Sequence, residues 1–81
     1  MKPGELFITI STWEGFQLIK TEEGTWFPKL EFKGLFAPFI KRLLPPNTVV
    51  MYIEDSDSDS IGVFLIEDKF YELPYNILKK I

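Results

Sequence analysis

Three carboxylates alternate with serine in the run Asp55-Ser56-Asp57-Ser58-Asp59-Ser60. Carboxylates at every second position can converge on a hard cation, as they do at the start of a calcium loop. The remainder of such a loop is missing. Counting Asp55 as the first position, Ser60 stands sixth, where the sharp turn needs glycine, and Ile66 stands twelfth, where a bidentate glutamate closes the site. The run therefore reads as a solvated connection made of turn-formers, with no metal bound.

The other carboxylates in range of general acid–base work are Glu54, Glu67, Asp68 and Glu72. All four stand at strand ends beside polar turns, where solvated carboxylates belong. The chain has no histidine and no cysteine. Cys/His zinc sites, Ser-His or Cys-His nucleophilic catalysis and disulfide staples are thereby excluded. No glycine-rich phosphate loop occurs. The expectation is a noncatalytic protein without a cofactor.

Two binding chemistries remain. Lys33, Lys41, Arg42, Lys79 and Lys80 are the basic residues near aromatics, with Trp26, Phe27, Phe36 and Phe39 close in sequence. Basic and aromatic residues interleaved in this way can hold single-stranded nucleic acid by phosphate contact and stacking. A net charge of −3 and the acidic run weigh against that, so a nucleic-acid-binding small β-barrel is the alternative reading. The preferred one is a protein-interaction surface. Trp13, Phe16, Trp26, Phe36 and Phe39 fall on or beside irregular segments, and Trp and Phe are enriched in interface cores. They face a protein partner or a second copy of the chain, or else they close over the core like a lid.

These residues must be positioned by strands. Glu5 to Thr12 alternates Leu6, Ile8 and Ile10 with Phe7, Thr9 and Ser11, the period of a half-buried strand, and Trp13-Glu14-Gly15 ends or bends it. Phe16 to Lys20 and Thr25 to Phe32 flank Thr21-Glu22-Glu23-Gly24 as a hairpin, with Gly24 supplying positive φ. Pro28 cannot donate to a ladder, so its strand is expected to lie at an edge or to be interrupted there. Leu35 to Leu44 is the candidate helical turn, with Pro38 at its first position and Pro45-Pro46 as its stop. If it is a full helix, the fold is α+β. Thr48 to Glu54 and Ile61 to Glu67 are apolar on nearly every residue, as deep strands are, with Gly62 marking a bulge or sharp bend. Asp68-Lys69 turns the chain into Phe70 to Leu73.

Eighty-one residues make a single domain spanning 1–81. A chain this short needs a dense core or a partner. Its 46% hydrophobic and 16% aromatic content supplies the first and leaves aromatics over for the second. No apolar run approaches the ~18–20 residues that span a membrane. Met1-Lys2-Pro3-Gly4-Glu5 does not open a signal peptide, so an intracellular, cytoplasmic setting is expected.

The closing run Leu73-Pro74-Tyr75-Asn76-Ile77-Leu78-Lys79-Lys80-Ile81 resembles the end of an SH3-like barrel, where a Pro-Ser-Asn-Tyr-Val type segment makes one 3₁₀ turn before the last strand. Pro74 and Asn76 match in place. Lys2-Pro3-Gly4-Glu5-Leu6 is similar to the Pro-Gly-Asp-hydrophobic opening of many bacterial and phage SH3-like domains. The resemblance implies an all-β fold, a small SH3-like barrel of five to six strands with a 3₁₀ turn before the last strand. The chain looks like the small SH3-like proteins encoded by tailed phages. Polyproline recognition is not carried over. The Ala-Leu-Tyr-Asp-Tyr segment and the third-strand Trp are absent, and Ile77 stands where the ligand-contacting Tyr would be.

Overall fold

A computed structural model describes residues 1–31, 38–56 and 59–81. The chain is all-β, with strands β1 (Leu6–Thr9), β2 (Trp13–Lys20), β3 (Trp26–Pro28), β4 (Lys41–Leu44), β5 (Val49–Asp55), β6 (Ile61–Ile66), β7 (Lys69–Pro74) and β8 (Leu78–Lys80). A single 3₁₀ turn, Tyr75–Ile77, precedes β8. Among the described residues there is no α-helix. All pairings are antiparallel, in one open sheet of order β3-β2-β7-β6-β5-β1-β8, and β4 adds to β2 off this path. Eight strands replace the expected five to six.

The extra strands come from the middle of the chain. Trp13-Glu14-Gly15 does not end β1 but opens β2, an eight-residue strand. Gly15 permits this, because a Cβ there would stand 3.3 Å from the Glu72 carbonyl oxygen and 3.3 Å from Leu73 Cδ2. Along one flank of β2 run both β3, against Leu18 to Lys20, and β4, against Trp13 to Phe16. Lys29 N–H donates to Gln17 O, Gln17 N–H to Ile40 O and Ile40 N–H to Lys29 O, at 2.8 to 2.9 Å. The chain leaves β2 at Lys29 and rejoins it at Ile40. Between them its two arms pair at Leu30 and Phe39.

The helical turn expected over Leu35 to Leu44 is corrected where it is described. Phe39 is in a β-bridge and Lys41–Leu44 is a strand, because the free flank of β2 satisfies its backbone groups and Leu44 drops into the core. Residues 35–37 lie outside the described residues. The bulge is likewise not at Gly62: the register slips on β5, between Tyr52 and Glu54. The last tight turn is Glu67-Asp68, with Glu67 at φ 61°, one residue earlier than expected.

One face of the sheet makes the core. Phe7, Leu44, Val50, Tyr52, Phe64, Ile66, Tyr71 and Leu73 form it, with Tyr75 and Leu78 packed against its side. Phe64 meets Phe7 and Tyr52 edge-on, at centroid distances of 6.3 and 5.6 Å. Buried Thr9 ties the return from β4 to β5: its hydroxyl donates to Pro45 O and accepts from Thr48 N–H, both at 2.9 Å.

Candidate functional site

The hairpin β2–β3 splits its aromatics by register. Lys20 stands opposite Trp26, Ile19 opposite Phe27 and Leu18 opposite Pro28. Successive side chains point to opposite faces, so Trp26 and Phe27 part company. Trp26 turns onto the sheet. Its ring packs on Phe70 at 4.9 Å, its Nε1–H donates to Glu54 Oε1, and the Lys20 ammonium lies 5.3 Å from the ring centroid. Leu18 is buried beside it and opposite Phe70. Trp26 thus seals a second small cluster on the sheet face away from the main core.

Phe27 turns outward. With Ile19, Leu30 and Phe39 it lines an open groove of about 690 Å³, completed by Thr21, Pro28 and Lys29. The four large side chains keep much of their surface in water: Ile19 46%, Phe27 52%, Leu30 41% and Phe39 50%. Phe39 is braced from behind by the edge of Phe16 at 5.8 Å, and Phe16 carries the Lys41 ammonium 5.1 Å from its ring.

Of the five aromatics singled out in the sequence, the fold brings together two, Phe16 and Phe39. Trp26 is drawn into intramolecular packing. Trp13 sits at the opposite end of β2 from the Lys20–Trp26 pair, about 23 Å away at ~3.3 Å per residue. Phe36 lies outside the described residues. Ile19 and Leu30 are groove residues that the sequence did not single out, and Phe27 entered only beside the basic residues of the nucleic-acid alternative. The signal for them was the Thr21–Gly24 turn, whose register sets Ile19 against Phe27.

The carboxylates are engaged in local structure. Asp55 Oδ1 accepts from Tyr52 Oη at 2.8 Å and from Tyr75 Oη. These bonds, Tyr75's first, hold the Asp55 carboxyl below its ordinary pKa. Burial pushes both tyrosines up, reinforced by the bond to Asp55. The Tyr75 ring lies over Gly62, where a Cβ would come within 2.6 Å of it. Glu67 accepts from Arg42 at 2.7 Å, which lowers the glutamate and raises the guanidinium. Glu54 and Glu72 line a polar pocket of about 390 Å³ with Asp55, Ser56 and Trp26. Asp68 stands in the β6–β7 turn. Of the aspartate run, Asp57 is outside the described residues.

Three basic residues offered for nucleic acid have acidic neighbours: Lys41 with Glu14 at 3.6 Å, Arg42 with Glu67, and Lys80 with Glu5 at 2.5 Å. Lys33 is outside the described residues. Among the described residues no helix is long and apolar enough to cross a membrane. No protein-family model, curated protein or solved structure matches the chain.

Proposed function

We propose that the chain is a noncatalytic interaction module built on an SH3-like barrel, offering an aromatic and aliphatic surface to a protein partner or to its own copy. The observation that carries the reading is the groove formed by Ile19, Phe27, Leu30 and Phe39 beside the edge strand β3. About half of each phenylalanine is uncovered, and a ring can bury ~150–250 Å², so the two rings hold on the order of 200 Å² of apolar surface in water. At ~25 cal/mol per Å², covering it is worth about 5 kcal/mol. Ile19 and Leu30 enlarge that term, which is the scale needed to offset the entropy lost on association.

The barrel reading draws support from the antiparallel path β7-β6-β5-β1-β8 and from the 3₁₀ turn immediately before β8. On this reading β2 to β4 elaborate the connection between the first strand and the central meander. We further propose that the module is virus-encoded, as its resemblance to phage SH3-like proteins implies, and that it acts inside the cell. Neighbouring virion genes would mark it as a structural part, and neighbouring early genes as a host-directed factor.

Size-exclusion chromatography with light scattering tests the surface. A dimer dispersed by Phe27→Ser assigns the groove to a second copy, while a monomer assigns it to another protein. Loss of the fold in both Phe27→Ser and Phe39→Ser overturns the reading, because the groove would then belong to the core.

A further inference from the structure

Building on the groove as an interaction surface, we infer that its occupant is a segment of a different protein in which apolar side chains are interleaved with carboxylates. The groove adjoins a second depression of about 450 Å³, which shares Ile19 and Lys29 with it. Lys20 and Lys69 line that depression too, together with Asp68, and Lys69 also lies in electrostatic reach of Glu67, which Arg42 holds in an ion pair. Lys20 also reaches Glu54 at 3.7 Å, so the collar rests chiefly on Lys29 and Lys69. A locally basic collar stands out on a chain of net charge −3. Glu54, Asp55 and Glu72 gather around the polar pocket instead. An excess of positive charge beside an apolar groove favours a partner of the opposite sign and disfavours its own kind.

The same collar argues against a second copy seated groove to groove. A two-fold contact is self-complementary, so it would set one lysine collar against another. Edge-to-edge strand pairing is also blunted. Lys29 N–H bonds inward to Gln17, and Pro28 has no N–H to offer on the free side of β3. Recognition therefore falls to side chains: apolar anchors in the groove and carboxylates on Lys29 and Lys69.

A random peptide library displayed on phage particles, selected at low salt on the full chain, tests this. Each round is counter-selected on the Phe27→Ser/Phe39→Ser double variant, after circular dichroism has verified its fold. Enriched peptides should combine aromatic or aliphatic residues with an excess of Asp and Glu. They should bind the double variant at least about tenfold more weakly, a loss of ~1.4 kcal/mol. Lys29→Glu/Lys69→Glu, which keeps the four large apolar side chains of the groove, should weaken them severalfold, as should high salt. Groove-dependent peptides that are neutral or basic, or indifferent to the charge reversal, overturn the inference and leave the interaction surface standing. Failure to enrich any groove-dependent peptide overturns both. A dimer dispersed by Phe27→Ser overturns the inference in favour of a second copy.

Discussion

Trp26 and Phe27 are adjacent aromatics on one short strand, and truncating them should have opposite consequences. Removing a fully buried Trp or Phe side chain costs about 3–5 kcal/mol. Trp26 is half-buried, packs on Phe70 and donates to Glu54, so Trp26→Ala should cost roughly half of that range, about 2 kcal/mol. Glu54 then regains water, which adds little. Phe27 is 52% exposed and loses contacts made in the open groove, of which the cross-strand pair with Ile19 is worth about 0.2–1 kcal/mol. Phe27→Ala should therefore cost about 0.5 kcal/mol. In a domain of this size the difference separates the two melting temperatures by roughly 6–12 °C. Urea denaturation followed by far-UV circular dichroism measures both, with the slope as a check on two-state behaviour. Equal costs for the two variants would refute the argument, because the register would not then divide structural from available aromatics.

Other predictions follow from single contacts. Gly62→Ala places a Cβ against the Tyr75 ring and should destabilise by about 1–3 kcal/mol; in a Tyr75→Ala background it should cost clearly less, read by chemical denaturation as a double-mutant cycle. Asp55 has its pKa lowered in the folded state, so the stability it contributes is complete above the ordinary carboxylate pKa, about 4, and is lost as pH falls through the lowered folded value. Asp55→Asn should accordingly flatten the decline in melting temperature below about pH 4, and an unchanged decline would remove that contribution. With Lys41, Arg42 and Lys80 beside carboxylates, fluorescence anisotropy of labelled single-stranded DNA and RNA should not rise at low salt with protein on the order of tens of micromolar; a rise that falls steeply with salt would revive the nucleic-acid reading.

The strands were legible where the pattern was local and unambiguous. Period-two alternation marked β1, the apolar runs marked β5 and β6, and Gly24, at φ 85°, marked the β2–β3 turn. Pro28 correctly placed β3 at an edge. The middle of the chain was not legible, because a short apolar run fits helix and strand alike. Phe39-Ile40-Lys41-Arg42-Leu43-Leu44 became extended once β2 offered it an unpaired flank, which is a tertiary fact. Gly15 looked like a break and is instead where β2 passes close to β7. The candidate surface was legible as an aromatic excess but not residue by residue. Which of Trp26 and Phe27 faces water depends on hairpin register and on Phe70, more than forty residues away in sequence.

The central claim is that the face bearing Phe27 and Phe39 exists to be covered by another protein. Photo-crosslinking tests it most directly: p-benzoylphenylalanine is placed at position 27, and in a second protein at position 49, where Val49 is similarly exposed on β5. Irradiation in the native host should give a discrete adduct from position 27 and none from position 49. No adduct at position 27, or the same adducts from both positions, would contradict the account.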